Sequence, residues 1–208
     1  MKTAIYKYIE CLIIFILIPV SFTWNYLPLV KFALGVLGFV YVIFVLLKVE
    51  GLKFKIAQNL NWKRFIKQTF IKFLIIAFIT TIFVWITNKN ALFYVLLNKP
   101  KLYVFILFVY TFLSVYPQEV IYRTFFFNRY KSLVKNTQLF LLVNAVVFAL
   151  AHLLFKNILV LVLTFLGGLL FSYTYKKTNS TLLVSIEHAL YGCWLFTVGM
   201  GSMLGFPG

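Results

Sequence analysis

Apolar runs of 17 to 21 residues recur along the chain, near residues 9–25, 27–47, 69–87, 102–122, 138–155, 158–175 and 181–199. Each is long enough, at about 1.5 Å of rise per residue, to cross a hydrocarbon core of about 30 Å with some tilt. The pattern therefore predicts an all-α, polytopic bundle of about seven spanning helices. Short polar clusters separate the runs. The longest, GLKFKIAQNLNWKRFIKQ at 51–68, mixes Lys and Arg with Phe, Ile and Trp. That mixture suits a helix lying in the headgroup layer and equally suits a plain basic loop. In TFLGGLLF, Gly167 and Gly168 are small enough to admit a neighbouring helix at close range.

Composition agrees: of 208 residues 63% are apolar and 20% aromatic, with a mean hydropathy of +0.98. Seven spans and their connections use up this length, so residues 1–208 read as one membrane domain with no soluble module beside it. The start, MKTAIYKYIECLIIFILIPV, has basic residues ahead of an apolar core. It carries Glu10 and lacks a small-x-small cleavage site, so it reads as an uncleaved first helix. Cys11 and Cys193 lie near opposite ends and form no paired motif.

The net charge of +16 does not indicate nucleic acid, because the 20 Lys and Arg fall mostly between apolar runs rather than along one face. It indicates topology. With the N-terminus inside, inner segments hold 14 cations, among them Lys72 and Arg129, and outer segments hold 5. The excess places the N-terminus inside and the C-terminus outside.

Ionisable residues within apolar runs are costly in lipid and mark functional sites by default. Five occur: Glu119, Arg123, His152, Glu187 and His188. Glu119 and Arg123 are four apart and can pair on one helix face. Pro117 removes a backbone N–H just before them, as happens where a helix borders a cavity, and Gln118 adds an amide. Counted along their helices, Glu119 lies about 15 Å from Arg129, His188 about 16 Å from Lys177, and His152 about 21 Å from Gln138. Those depths suggest that three helices deliver Glu, His and His to one buried layer.

Such a set can hydrolyse an amide: a carboxylate takes a proton from water, one imidazole orients the water or returns the proton, and the other stabilises the oxyanion. Glu, His and His are also zinc ligands, so a divalent metal such as zinc stays open, although the helical HExxH spacing is missing. A Ser or Cys triad is poorly supported. Ser114 and Ser185 sit in no GxSxG-like turn, and Cys193 lies about 140° around its helix from His188. A proton-coupled transporter would need paired halves with broken helices, and none is visible.

PQEVIYR resembles the EExxxR motif of the CPBP family of intramembrane proteases, the CAAX-processing and bacteriocin-processing endopeptidases. Phe148 to His152 matches their FxxxH motif, and His188 opens their HxxxN motif. The likeness covers residues 102–199, which read as a protease-like core. It implies a multi-helix membrane domain that opens to the inner side and cuts a peptide or membrane-anchored protein with glutamate-activated water, in a family also described as metalloproteases. By the resemblance Glu119 is the second motif glutamate, Arg123 the arginine, and His152 and His188 the two histidines. Gln118 stands where the family has its first, water-activating glutamate, and Gly192 where the third motif has Asn. These departures keep a second reading open: a non-catalytic member of the fold serving as a binding, immunity or chaperone-like protein. The abundance of Lys, Ile, Phe, Asn and Tyr suggests an AT-rich bacterial genome and the cell's inner membrane, where a prenylated substrate is not expected.

Overall fold

The computed structural model describes residues 3–52 and 60–205, and the middle of the segment read as interfacial helix or basic loop lies outside them. Among the described residues there is no strand, and seven helices are long and apolar enough to span a membrane. They are α1 Ala4–Ser21, α2 Pro28–Val49, α3 Trp62–Thr87, α4 Pro100–Leu133, α5 Thr137–Phe155, α6 Ile158–Thr178 and α7 Thr181–Val198. The all-α expectation holds.

Helix starts follow local chemistry. Asn61, Asn136 and Ser180 each accept a backbone N–H from the first turn of α3, α5 and α7, and Pro28 and Pro100 open α2 and α4, where a missing N–H costs nothing. The Asn61 cap shifts one expected boundary. α3 starts at Trp62 rather than near 69, so Lys63, Arg64 and Lys67 ride its first turns instead of a separate surface element. At 26 residues α3 is about 39 Å long, so that basic end reaches beyond the hydrocarbon. α4 likewise runs on to Leu133, well past residue 122.

The helices group into two units, Met1–Ile56 with Gln118–Lys177, and Ala57–Pro117 with Thr178–Gly208. In the first, a buried aromatic cluster surrounds Phe15, whose ring meets Tyr122, Phe125, Phe126 and Tyr130 at 5.2–6.2 Å. α5 and α6 approach closely there: a Cβ on Gly168 would stand 2.9 Å from the Ala145 Cα. Small residues pack helices in this way where lipid offers no hydrophobic drive. Gly167 does not share that role, since its nearest neighbour is the Phe171 ring on its own helix. In the second unit Ile106, Tyr110, Val115 and Phe196 form a buried cluster. Gly199 ends α7 with φ +104°, where a Cβ would strike the Ala91 carbonyl. Many large side chains, such as Phe32, Phe78 and Phe105, face outward, as suits a lipid-solvated surface.

Candidate active site

Around Pro117 the backbone of α4 departs from regular winding. A short α-helical turn, Tyr116–Glu119, lies between π-helical stretches Tyr110–Val115 and Val120–Phe125. Pro117 cannot donate to the preceding turn, and the wider winding is a feature that concentrates at functional sites.

In the first unit the expected pair forms: Glu119 and Arg123 are both 0% exposed, with Arg123 Nε 3.4 Å from Glu119 Oε2. The Arg123 guanidinium lies 4.7 Å over the Phe148 ring and 5.7 Å from that of Phe171. Phe148 in turn meets His152, ring to ring, at 4.9 Å. A continuous chain thus runs Glu119, Arg123, Phe148, His152, from α4 to the end of α5. Cation–π contact in a desolvated setting contributes about 2 kcal/mol and spreads the guanidinium charge over the aromatic faces. Gln118 is half-buried beside this group.

His152 differs from expectation in backbone. The α-helix ends at Leu150, and His152 follows it with φ −95° and ψ 4°, in the bridge region. Its Nδ1 is 2.8 Å from the Phe148 carbonyl oxygen. A carbonyl only accepts, so Nδ1 carries the hydrogen and Nε2 is the basic nitrogen of the neutral ring. Asn144, on the same side of α5, serves packing instead. It is 0% exposed, donates to the Tyr122 carbonyl at 2.7 Å, and its Oδ1 lies 2.6 Å from Ser172 Oγ.

In the second unit His188 is buried, and its ring meets Tyr110 edge to face at 6.1 Å and 82°. Gly192, one turn on, is covered by the same tyrosine: a Cβ there would overlap the Tyr110 hydroxyl, Cζ and Cε1. The side chain missing at 192 is replaced in space by Tyr110. Glu187 is fully buried, yet it is not part of a histidine pair. Lys72 donates to its Oε1, and Tyr191 donates to the same oxygen at 2.9 Å, with the Thr69 carbonyl 3.2 Å from the Tyr191 hydroxyl. Among the described residues, Glu187 Oε2, Ser185 Oγ and Thr69 Oγ1 are buried without a hydrogen-bond partner. Cys193 has its Sγ 3.5 Å from Thr111 Oγ1.

Two residues counted as loop cations lie within helices and pair with acids there. Lys72 lies well inside α3. Arg129 is 0% exposed and holds Glu10 through Nε (2.7 Å) and Nη2 (3.2 Å) and Glu50 through Nη1 (2.6 Å). Tyr130 and Tyr41 donate to Glu10 at 2.9 and 2.5 Å. Glu10 is thus a third buried acid, and depth along α4 cannot be gauged from Arg129. Nor does His188's depth count from Lys177, since α6 ends at Thr178 and α7 begins at Thr181. A signal for this network was present in Glu10 itself, an acid in an apolar helix that needs a cation.

Within neither unit do three His, Cys, Asp or Glu side chains of the described residues converge as metal ligands.

Glu119 and Arg123 are thus buried as a pair on a helix apolar enough to span a membrane, and the half-buried His152 is held by a backbone carbonyl at the end of the next. Residues 100–194 match the family model described as Rce1-like, type II CAAX prenyl endopeptidase Rce1-like, the same stretch whose motifs carry the resemblance to the CAAX-processing proteases. No curated protein and no solved structure matches the chain.

Proposed function

We propose that this protein is an intramembrane endopeptidase that hydrolyses a peptide bond of a membrane-associated peptide or protein with water activated by Glu119. The observation that supports it most is the arrangement of Glu119 and His152. Glu119 is fully buried and meets Arg123 through one oxygen at 3.4 Å, and His152 is held as the Nδ1–H tautomer. That separation is longer than the roughly 2.7–2.9 Å typical of a charge-assisted N–H···O bond. Glu119 takes the water proton, and His152 orients the water or passes a proton through Nε2. Arg123 positions Glu119, and the Gln118 amide holds a water or substrate carbonyl. No step requires a metal. The site opens to the inner side of a bacterial inner membrane, with the N-terminus inside.

The test uses the full chain in lipid nanodiscs with an internally quenched peptide. Glu119→Gln and His152→Ala should each lower turnover by about 10²–10⁴-fold, the usual worth of general acid–base catalysis. Undiminished cleavage in both variants would refute the assignment.

A second reading, a non-catalytic binding, immunity or chaperone-like protein, is favoured by Gln118, which cannot accept a proton at neutral pH. It predicts no cleavage by the natural chain. Activity would then arise only when Gln118→Glu is combined with Gly192→Asn and a smaller residue at 110.

A further inference from the structure

We infer that Asn144 is a positioning residue for the Glu119 site: it holds the peptide unit that carries Arg123 and so aims the guanidinium at the carboxylate. The inference rests on the endopeptidase reading, and every residue it uses belongs to the first unit.

Asn144 is the one polar side chain in residues 139–150 of α5, and it is 0% exposed. Leucine, close to it in size and free of polar atoms, would serve packing alone. An amide is kept in a dry helix bundle for the hydrogen bonds it makes. Its two ends do different things. Oδ1 lies 2.6 Å from Ser172 Oγ on α6, and Nδ2 donates to the Tyr122 carbonyl on α4 at 2.7 Å. A carbonyl only accepts, so the second bond fixes which way the amide points, and the Ser172 hydroxyl suits the other end.

The Tyr122 carbonyl and the Arg123 N–H belong to one peptide unit, which is planar. Holding the oxygen therefore holds the plane from which the Arg123 side chain departs. The plane lies in the π-helical stretch Val120–Phe125, a rare winding that contacts from outside the helix must sustain.

The side chains around that peptide are held from the same helix. Phe148, one turn beyond Asn144, meets the Tyr122 ring at 5.2 Å and 78° and lies 4.7 Å from the Arg123 guanidinium. Its carbonyl oxygen is 2.8 Å from His152 Nδ1. Successive turns of α5 thus hold the Arg123 backbone through Asn144, the guanidinium through the Phe148 ring, and the imidazole through the Phe148 carbonyl. Arg123 Nε then stands 3.4 Å from Glu119 Oε2. Asn144 acts on the reaction through Arg123 and Glu119.

The test has two readouts on the full chain. The first is kcat and KM on a quenched peptide in nanodiscs. The second is side-chain NMR of isotope-labelled arginine in micelles, which resolves three residues, Arg64, Arg123 and Arg129, with Arg123→Lys giving the assignment. Asn144→Leu should lower kcat by about 10–10²-fold with KM little changed, the cost of moving a reacting group by about 1 Å. It should also shift the Arg123 resonance and leave those of Arg64 and Arg129 in place. Ser172→Ala, which releases only the Oδ1 end, should move both readouts the same way by less. Leu46→Ala, a buried truncation on α2 of the same unit, should lower stability without lowering kcat.

If the Arg123 resonance stays in place in both variants, the positioning role is overturned whatever the kinetics. If it moves and kcat does not fall, the role in the reaction is overturned while the endopeptidase reading stands. A fall in kcat as large in Leu46→Ala as in Asn144→Leu also overturns it, since general loosening would then explain the loss. Should Asn144→Leu fail to fold, Ser172→Ala decides by the same two readouts. If wild type cleaves no faster than Glu119→Gln, the endopeptidase reading falls and the role of Asn144 in the reaction falls with it.

Discussion

Replacing Gly192 with Asn would complete the HxxxN motif on paper, yet the structure predicts that it damages the protein. An Asn side chain there must enter space held by the Tyr110 hydroxyl and ring edge, and that ring cannot swing freely because Phe196 and His188 flank it. Overpacking a filled site costs about 1–3 kcal/mol. Asn recovers only a few tenths of a kcal/mol over Gly in helix propensity, so the net loss should be about 2 kcal/mol. Tyr110→Ala costs stability itself, about 3–5 kcal/mol by analogy with other aromatic truncations, but opens the space that Asn needs. Adding Gly192→Asn in that background should cost nothing or restore stability, giving a coupling energy of about 2 kcal/mol between the sites. The assay is reversible unfolding in mixed micelles followed by tryptophan fluorescence, to which Trp194 on α7 contributes. Gly38→Ala in α2 serves as a control, because nothing lies within 4 Å of a Cβ there and stability should not fall. Equal cost of Gly192→Asn with and without Tyr110 would refute the claim that this ring fills the site.

Other outcomes follow from the buried charges and the close helix approach. Arg129→Met strands Glu10 and Glu50 and should destabilise by about 3–5 kcal/mol, read in the same unfolding assay. Lys72→Met should cost about 3 kcal/mol by leaving Glu187 uncompensated, and Glu187→Gln added to it should return most of the loss. If the double variant is no more stable than the single one, Lys72 does not serve to neutralise Glu187. Gly168→Ala should lower stability despite its better propensity, because its Cβ meets the Ala145 backbone at 2.9 Å, and a neutral result would show that α5 and α6 can separate at no cost.

The sequence by itself determined the class of fold and the residues worth asking about. Seven apolar runs must become helices because lipid offers backbone N–H and C=O groups no other partner. The same solvent makes each buried acid and histidine conspicuous, so Glu119, Arg123, His152 and His188 could be named, and the i,i+4 pairing of Glu119 with Arg123 followed from helix geometry. Long-range partnership is another matter. Periodicity along one helix carries no information about which side chain of another helix meets it. That Glu187 belongs with Lys72, and Glu10 and Glu50 with Arg129, was hidden because those cations look in sequence like ordinary topological charges. That His152 lies past the regular α-helical part of α5, which stops at Leu150, depended on where backbone hydrogen bonding changed, which no apolar run marks. The glycine at 192 reads in sequence as a missing donor. Only packing shows that the space is filled by a residue more than eighty positions away, because a helix carries a gap in its surface without recording what occupies it.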